Sequence, residues 1–391
     1  MKKKLIAFLK YCRPLYLTYY YLGTACLNLM KVFIKTDDHL ILFGSFGGKA
    51  FSDSPKAIYL EMLKDPRFKD YKAVWAFNDP SAHKLKHADA IKTDTLGYFL
   101  TAMKARCWVT NSSLERGLGF RGKHTYFVNT WHGTPLKKMG SDATESGTVF
   151  DSKNTYNMDL FTTQCAYESE IFTRVFRLKE GVCQVIGLPR NDELAHADAE
   201  DKARCRKKLG LKEQQKVILY APTFRDYVTN TSLQRVFDAP VDFKAWKETL
   251  GEDGVILVRA HYETVSSMKG EMDGVMDVTD WPSINELMIA SDALVSDYSS
   301  VFFDYSILGR PMICFAYDYD RYEKERGMYF DIREKLDWAG EEKELFTLTG
   351  QLRDSDFQAQ AEEKARAFAK EFVESSGSAS SRVLDIMYQN L

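Results

Sequence analysis

The sequence predicts an α/β protein built from two doubly wound domains that face each other across a cleft. Its 391 residues are about twice the length of a typical domain. A hydrophobic content of 45%, with 13% aromatic residues, is enough for two buried cores. From residue 39 onwards, strand-like and helix-like segments alternate along the chain, which is the pattern of a parallel sheet with helices on its faces.

The composition excludes some classes of protein. The formal net charge of −2 argues against a protein that coats nucleic acid, because such proteins carry a surplus of basic residues. The seven cysteines are odd in number and include no CxxC pair. They indicate reduced thiols in a cytosolic compartment, without a zinc site or a disulfide framework.

The N-terminus, MKKKLIAFLKYCRPLYLTYYYLGTACLNLMKVFIK, encloses an uncharged, Tyr-rich segment between basic residues. Lys10 and Arg13 interrupt the apolar core that a signal peptide needs, and the apolar stretch is short for a spanning helix. Tyrosines and lysines at this density favour a segment that lies in the membrane interface. The alternative is an aromatic helix packed on the protein's own core. We predict a membrane-associating helical segment over residues 1–38.

Strands and helices alternate in the first half of the chain. The run HLILFGSFGGK is a strand that enters a glycine-rich loop, PKAIYLEMLKD is a helix and YKAVWAFND is a strand. DTLGYFLTAMKAR is a helix, and CWVTNSS and HTYFVN are strands. The glycine-rich loop lacks the GxGxxG spacing and the GK[ST] ending of phosphate-binding loops. Its glycines therefore indicate a tight turn, or a close approach of the other domain.

A second series of elements begins after VCQVIGLPRND. The charged helix DAEDKARCRKKLG is followed by the strands KVILYAPTF, GVILVRAH and ALVSDYSS, each of which leads into helical sequence. The break between the two series falls near residues 187–212, and the chain contains no tandem repeat. We therefore predict one domain over residues 39–188 and a second over residues 189–391.

Polar residues follow strands in both predicted domains. His132 comes just after the strand HTYFVN and before Pro135, a residue that fits the first turn of a helix. His261 ends the strand VILVRAH, and Ser299 and Ser300 follow the strand ALVS. Loops at the carboxyl ends of parallel strands are where α/β proteins bind ligands. The two serines fit a phosphate site at a helix start, and they also fit a simple helix cap.

Five motifs, WHGTPLKKMG, LYAPTFR, RAH, SDYSSVFFDYSILGRP and RGMYFD, occur in this order. Together they resemble the CDP-glycerol glycerophosphotransferase family of teichoic acid synthesis, and GKAFSDSPKAIYLEM and GLPRND also fit its pattern. The resemblance covers residues 43–331. It implies two Rossmann-like domains in a glycosyltransferase-B-like pair, with the acceptor bound by residues 39–188 and a CDP-alditol donor bound by residues 189–391.

The resemblance also implies a reaction and a location. Such enzymes transfer glycerol phosphate from CDP-glycerol to a hydroxyl of a lipid-linked glycan acceptor and release CMP. They are peripheral proteins on the cytoplasmic face of the cell membrane, and the Tyr-rich N-terminus would provide the membrane attachment. Two alternatives remain: CDP-ribitol as the donor, and a catalytically silent paralogue that binds nucleotide or lipid. The intact histidines and serine loop favour an enzyme.

The chemistry of the reaction assigns roles to the matched residues. A neutral imidazole near pH 7 suits removal of the acceptor hydroxyl proton, and His132 stands in the motif whose histidine serves the family as its base. Charge that develops on the pyrophosphate needs positively polarised partners. We assign these to His261, to the helix start at Ser299 and Ser300, and to Arg326.

Other polar residues receive binding roles. Asp297 is predicted to orient His261 or the serine loop, because a carboxylate in contact with a pyrophosphate would be repelled. Asp280 and Glu286 are candidates to accept ribose hydroxyls, with helix capping as the alternative for Asp280. The remaining cations, for which a solvated charge is the alternative, are assigned to substrate phosphates: Arg225 to the donor, and Lys137 and Lys138 to the acceptor.

A metal-dependent mechanism is a further alternative. Residues 318–320 read DYD, the DxD spelling of metal-dependent nucleotide-sugar transferases, and they follow the strand PMICFAY. We prefer a loop that closes near the donor, because the histidines and the serine loop already supply charge stabilisation. We therefore predict no metal site and no cofactor, with any Mg²⁺ entering together with the substrate.

Overall fold

The computed structural model describes residues 13–143, 157–223, 241–259 and 273–391. These residues form two compact units. The first unit contains the described residues up to His132, those from Met139 to Asp192, and Ser376–Leu391. The second contains Gly133–Lys138 and the described residues from Glu193 to Ser375.

A seven-stranded parallel sheet forms the centre of the first unit. Its strands are β1 Asp37–Gly44, β2 Lys72–Phe77, β3 Asp89–Lys92, β4 Ala105–Thr110, β5 Tyr126–Asn129, β6 Leu160–Thr163 and β7 Cys183–Val185. They lie in the order β3-β2-β1-β4-β5-β6-β7, and neighbouring strands pair in parallel. The order 3-2-1-4-5-6 is that of dinucleotide-binding folds, in which ligands bind at the carboxyl ends of the strands.

Aromatic side chains fill the core around the first two strands. The last five residues of β1 and the last five of β2 are all buried, which explains their continuous apolar runs. Phe43 and Trp75 are register partners, and their rings stack with centroids 5.3 Å apart. Trp75 also stacks on Phe77 at 5.8 Å. Cross-strand pairs of this kind fix the register of the sheet.

A six-stranded parallel sheet forms the centre of the second unit. Its strands are β8 Lys216–Tyr220, β9 Gly254–Val258, β10 Val275–Asp277, β11 Ala293–Ser296, β12 Met312–Phe315 and β13 Asp337–Ala339. They lie in the order β10-β9-β8-β11-β12-β13, which repeats the arrangement of the first sheet. Its core includes Ile218, Ile256, Val295, Ile313 and Trp246, all nearly inaccessible to solvent. The predicted α/β class with two parallel sheets is confirmed.

Helices connect the strands of both sheets. In chain order, the α-helices of the described residues are α1 Arg13–Lys31, α2 Asp53–Met62, α3 Leu96–Lys104, α4 Ala166–Phe176, α5 Asp192–Ala195, α6 Ala199–Lys208, α7 Phe243–Leu250, α8 Ile284–Ala290, α9 Val301–Ser306, α10 Tyr319–Arg326, α11 Glu342–Gln351, α12 Ser355–Phe372 and α13 Ala379–Asn390. Short 3₁₀ helices cover Pro66–Phe68, Pro80–Ala82, Gly140–Asp142, Pro189–Asn191 and Ile332–Glu334.

The C-terminal helix belongs to the first unit, not to the second domain that the sequence predicted over residues 189–391. Val383, Leu384 and Met387 of α13 are buried in the core beneath β1 and β2. The carboxylate of Asp192 accepts hydrogen bonds from the first two N–H groups of the helix, at 2.9 and 2.8 Å. A buried apolar face and a carboxylate at the helix start therefore attach α13 to the first sheet.

The segment Gly133–Lys138 lies in the second unit, although the sequence placed it in the first domain. Lys137 forms an antiparallel bridge with Met328. The Lys138 N–H donates to the Gly327 carbonyl at 3.0 Å. The main-chain N–H and C=O groups of this segment are therefore paired with residues 327–329 and are not available for the hydrogen bonds of a helix. The helix predicted after Pro135 does not form. The next regular element is the 3₁₀ helix that begins at Gly140.

One face of the N-terminal helix α1 packs on the loop that follows β4. Leu27 is buried, and Gly23 lies against Leu118, where a side chain would meet the leucine at 2.9 Å. The Gly119 N–H donates to the Thr24 hydroxyl at 3.0 Å. The alternative of a helix packed on the protein's own core is therefore correct for this face.

The opposite face of α1 and the residues that follow it are exposed and apolar. Leu15, Leu22 and Leu29 lie seven residues apart, with exposed fractions of 38%, 67% and 68%. Val32 and Phe33 are 77% and 82% exposed. Among the described residues, no helix has the length and hydropathy that crossing a membrane requires.

Candidate functional site

His132 lies on the loop after β5, at the carboxyl end of the first sheet. The side chain of Asn129, the last residue of β5, shapes this loop. Its amide donates to the Ser112 carbonyl at 2.8 Å, and its oxygen accepts from the Trp131 N–H at 2.8 Å. The turn that follows β5 is therefore tied to the loop that follows β4, and His132 comes directly after it.

The hydrogen bond of the His132 ring fixes its tautomer. Nδ1 lies 2.8 Å from the main-chain carbonyl oxygen of Asn111. Because a carbonyl only accepts, Nδ1 carries the proton and Nε2 presents a lone pair. The ring stacks on Trp131 with centroids 4.2 Å apart, and the Phe46 ring is 5.7 Å away. Aromatic contacts and one carbonyl thus hold the imidazole in a single orientation.

Burial lowers the pKa of His132 below its ordinary value. The Asn111 carbonyl and the negative charge of Asp53 oppose this effect, and the positive charge of Arg190 adds to it. The sign follows from solvation, since a buried imidazolium loses more hydration than a neutral ring. His132 is therefore neutral near pH 7 and able to accept a proton at Nε2.

The serine loop, residues 297–300, follows β11 at the carboxyl end of the second sheet. Asp297 is almost fully buried, and its Oδ1 accepts from the N–H groups of Thr223 and Tyr298, each at 2.7 Å. This carboxylate joins the residues after β8 to those after β11. The role predicted for Asp297 in orienting the serine loop therefore has a geometric basis.

The two serines lead into the short helix α9. The Ser299 hydroxyl accepts from the Val301 N–H at 3.2 Å, whereas Ser300 makes no side-chain cap. One of the free N–H groups at the helix start is thus already engaged. With six residues, α9 is too short for a large helix dipole, so any anion here would depend mainly on individual N–H and hydroxyl groups.

Three predicted cations gather near the serine loop in the second unit. Arg326 is the last residue of α10, and the Lys138 stem packs against the neighbouring Gly327. The Lys137 ammonium lies 5.5 Å from the centroid of the Tyr322 ring. The Tyr322 ring lies 4.1 Å from that of Tyr298, which belongs to the serine loop. Lys137 is thus linked to the serine loop through two tyrosine rings, and Lys138 packs beside the end of the helix that Arg326 closes.

The two carboxylates assigned to the ribose have different surroundings, Glu286 in the first turn of α8 and Asp280 a few residues before it. Glu286 is ion-paired with Lys208 and accepts from the indole N–H of Trp281 at 2.9 Å. Asp280 is exposed, and its charge partly opposes the lowering of the Arg259 pKa by burial. The capping alternative for Asp280 is wrong, because Ser283 caps α8 through a bond from the Glu286 N–H at 3.3 Å.

Two predicted site residues, His261 and Arg225, lie outside the described residues. In the DYD sequence, Asp318 accepts a hydrogen bond from the Tyr298 hydroxyl at 3.0 Å. Within the described ranges, no three His, Cys, Asp or Glu side chains come together as a metal-binding group. The bond from Tyr298 connects the serine loop to Asp318, at the start of α10.

Sequence reasoning assigned no role to three residues that surround His132. Asn111, Asp53 and Arg190 lie in the segments CWVTNSS, GKAFSDSPKAIYLEM and GLPRND, but the sequence indicated no mechanism for them. Arg190 donates to the main-chain carbonyl of His132 at 2.8 Å and to the Asp53 carboxylate at 2.8 Å. These contacts join parts of the chain that are far apart in sequence.

The two parallel sheets, with polar loops at the carboxyl ends of their strands, place the protein in a broad class of two-sheet α/β folds. A UDP-N-acetylglucosamine 2-epimerase from Listeria monocytogenes has a similar fold, with a TM-score of 0.52 and 14% identity over 89% of this chain and 95% of that one. Within this class, the chain belongs to the family of CDP-glycerol:poly(glycerophosphate) glycerophosphotransferases, whose model matches residues 26–389.

Individual relatives have related activities. A teichoic acid poly(glycerol phosphate) polymerase of Staphylococcus epidermidis is 35% identical over 90% of this chain, which spans 50% of that protein. A teichoic acid glycerol-phosphate transferase of Staphylococcus aureus is also 35% identical, over 76% of this chain and 79% of its own length. A variant of the wall teichoic acid polymerase TagF, in a crystal soaked with CDPG, superposes with a TM-score of 0.83 and 32% identity, covering 94% of this chain and 92% of that one.

Proposed function

We propose that the protein transfers glycerol phosphate from CDP-glycerol to a hydroxyl of a lipid-linked glycan acceptor and releases CMP. The reaction belongs to the synthesis of teichoic acid or a related cell-wall polymer. The observation that carries the proposal is His132, a neutral, orientated imidazole at the carboxyl end of the first sheet. Membership of the family and the activities of the relatives support the choice of substrates.

His132 acts as the general base in this proposal. The acceptor oxygen attacks the phosphorus that bears the glycerol, and its proton passes to Nε2 of His132. A new O–P bond forms, the bond from that phosphorus to the bridging pyrophosphate oxygen breaks, and CMP leaves with that oxygen. Phosphoryl transfer depends mainly on positioning and charge stabilisation, so a correctly orientated base and cationic partners are the main requirements.

The second unit binds the donor in this proposal. The serine loop offers hydroxyl and N–H groups to the pyrophosphate, and Lys137, Lys138 and Arg326 supply positive charge beside it. The contact between Lys137 and Tyr322 supports a role near the donor rather than the acceptor role predicted from sequence. His261 and Arg225 keep their predicted roles at the pyrophosphate, and Asp280 and Glu286 theirs at the ribose. We propose no resident metal, and any Mg²⁺ would enter with the substrate.

The exposed face of α1 attaches the protein to the cytoplasmic face of the cell membrane in this proposal. Leu22, Leu29 and Phe33 are large apolar side chains in contact with solvent, and a lipid surface would bury them. A membrane-bound acceptor makes such attachment useful, because it confines enzyme and acceptor to one surface.

The test of the proposed function is a reconstituted transfer assay with His132→Ala. Wild-type protein incubated with CDP-glycerol and a lipid-linked acceptor should give an acceptor heavier by one or more glycerol phosphate units. Turnover of His132→Ala should fall by about two to four orders of magnitude, because a general base contributes that much. Binding of CDP-glycerol, measured by calorimetry, should change little. Parallel reactions with CDP-ribitol test the alternative donor.

Two results would contradict the proposal. Near-wild-type turnover of His132→Ala would remove His132 as the base. Transfer from neither CDP-alditol, in protein that binds the nucleotide, would favour the silent paralogue.

A further inference from the structure

The loop that carries His132 is held by an ion pair that the proposed reaction does not use. Arg190 Nη1 donates to Asp53 Oδ2 at 2.8 Å and to the main-chain oxygen of His132 at 2.8 Å. The side chains of Arg190 and Asp53 are only 11% and 9% exposed. A buried pair of this kind stabilises little by itself, so its value lies in the geometry that it imposes.

Both partners of this pair are held in place by their own neighbours. Asp53 is the first residue of α2, and its Oδ1 accepts from the Ser54 N–H at 2.7 Å. Arg190 lies in the 3₁₀ helix Pro189–Asn191, and its N–H donates to the Ser54 hydroxyl at 3.3 Å. The start of α2 and the 3₁₀ helix that follows β7 are thus joined, and the Arg190 guanidinium extends from this contact to the His132 carbonyl.

The backbone around this ion pair is strained. Among the described residues, six that are not glycine have positive φ, and three of them adjoin the ion pair or the His132 ring. They are Phe46 at +47°, Asp53 at +63° and Trp131 at +49°. A residue with a side chain rarely adopts a positive φ, because its Cβ atom crowds the backbone. Such conformations persist only where surrounding contacts hold them, commonly at functional sites.

We propose that Asp53 and Arg190 are positioning residues for His132. Through the His132 carbonyl, they fix the turn between Trp131 and Gly133 from one side, while the Asn111 carbonyl fixes the ring from the other. Held at both points, the imidazole keeps Nε2 in one place, and the acceptor hydroxyl can approach it in a reactive geometry. The inference rests on the proposed function and adds two residues to the same site.

The ion pair also sets the charge around the base. Among the described residues, Asp53 and Arg190 are the charged groups that act on His132: Asp53 raises its pKa and Arg190 lowers it. Because the two effects have opposite signs, removal of either charge moves the His132 pKa in a predictable direction.

The experiment compares the pH profiles of kcat/KM for three conservative variants. The base must be neutral, so activity falls as pH drops through the His132 pKa. Asp53→Asn removes the negative charge, and the acid limb should move to lower pH. Arg190→Gln removes the positive charge, and the limb should move to higher pH. Arg190→Lys keeps the positive charge but loses the guanidinium that bonds both Asp53 and the His132 carbonyl. The acid limb of the pH profile should therefore stay in place, while kcat falls by about 10- to 100-fold.

The KM for CDP-glycerol should stay within about threefold in all three variants, because positioning of the base acts on the chemical step. Arg121→Lys is the matched control. Arg121 is ion-paired with Asp159 and also donates to main-chain carbonyls, at the opposite ends of the strands from His132. Its kcat and pH profile should match the wild type.

NMR titration of the histidine ring signals gives a second readout, which requires folded protein but no turnover. The chain has seven histidines, and His132→Ala identifies the signal of interest. The pKa of His132 should fall in Asp53→Asn and rise in Arg190→Gln. A wild-type kcat in both Arg190 variants would overturn the inference. So would a His132 pKa that stays unchanged in both Asp53→Asn and Arg190→Gln. If His132→Ala itself retains turnover, the assignment of the base has failed instead.

Discussion

The His132 imidazole is paired with a main-chain carbonyl rather than with a carboxylate. A carboxylate would stabilise the imidazolium and raise the pKa of the ring, whereas a neutral carbonyl does so far less. The arrangement keeps the imidazole neutral near pH 7 and still defines which of its nitrogens is free to accept a proton. It suits a reaction in which the proton leaves as the new O–P bond forms, because a strongly basic group is not needed.

Asp297 provides a prediction for the donor site. Its carboxylate accepts hydrogen bonds from the N–H groups of Thr223 and Tyr298, which follow the ends of β8 and β11. Asp297→Ala should loosen the serine loop and raise the Kd for CDP-glycerol by about 10- to 100-fold, as expected for the loss of one or two hydrogen bonds to a charged group. Isothermal titration calorimetry measures this change.

Asp297→Asn is the matched control for that measurement. The asparagine oxygen can still accept from Thr223 and Tyr298, so the Kd should stay within a few-fold of wild type. An unchanged Kd in folded Asp297→Ala would show that the serine loop does not contact the donor.

Sequence reasoning found the residues that follow strands and missed those that act across the fold. His132, Ser299 and Ser300 could be predicted because the carboxyl ends of parallel strands are visible in the sequence pattern. Asp53 and Arg190 could not, because 137 positions separate them and only the folded sheet brings them together. Strain at Asp53 and Trp131 is likewise a property of the backbone, which composition does not reveal.

The N-terminal helix illustrates how an element can have two partners. Leu27 and Gly23 of α1 pack on the first unit, whereas Leu22 and Leu29 face solvent. Deletion of the whole helix would uncover Leu118 and remove the hydrogen bonds to Gly119. Substitution of the exposed face therefore separates membrane binding from folding more cleanly than a truncation.

A triple variant of α1 and the residues after it tests membrane attachment. Replacement of Leu22, Leu29 and Phe33 by serine should leave the melting temperature unchanged, because these side chains are 67%, 68% and 82% exposed. Each side chain that enters the lipid contributes about 1.5 to 3 kcal/mol when fully buried. The variant should therefore lose most of its binding to anionic vesicles in a flotation assay.

Leu96→Ser is the control for this experiment. Leu96 is also an exposed leucine, at 62%, but it lies at the start of α3. Its vesicle binding should equal that of the wild type. A triple variant that still floats with the vesicles would place the membrane contact on another surface.

The predictions of strands and helices were correct where the apolar residues recur with a clear period. They were wrong where hydrogen bonds to a distant part of the chain determine the local structure. The alternation of apolar strands and amphipathic helices gave the α/β class correctly. The residues after Pro135 looked compatible with a helix, but their main-chain groups pair with residues 327–329 instead. No local signal distinguishes these outcomes, because the competing partner is almost 200 positions further along the chain.

At the scale of the whole molecule, the six strands of the second sheet follow the same order as the first six strands of the seven-stranded sheet, and both sheets have polar loops at their carboxyl ends. The sequence correctly indicated two α/β units, but it assigned them as consecutive halves. In the structure, the chain enters the second unit for residues 133–138 and then returns to the first. It forms most of the second unit with residues 193–375, and its last helix packs again in the first unit. Simple domain boundaries drawn on the sequence miss these exchanges.

The C-terminal helix gives a stability prediction for the first unit. Leu384 is 1% exposed and lies in a core shared with β1 and β2. Leu384→Ala should lower the free energy of unfolding of this unit by about 2 to 5 kcal/mol, the usual cost of a buried leucine. Urea denaturation followed by the fluorescence of Trp75 and Trp108 would report it. Gln389→Ala, an exposed position on the same helix, should have no effect.

Because the chain passes between the two units more than once, a chimera with a relative cannot be made by a single exchange of consecutive residues. A chimera that exchanges only residues 193–375 would keep the host's own residues 133–138, which pair with Gly327, Met328 and Tyr329 of the incoming part. A complete exchange of the second unit needs four junctions, after residues 132, 138, 192 and 375. The first of these junctions falls directly after His132, so an exchange of the whole second unit also changes the residue that follows the host's His132.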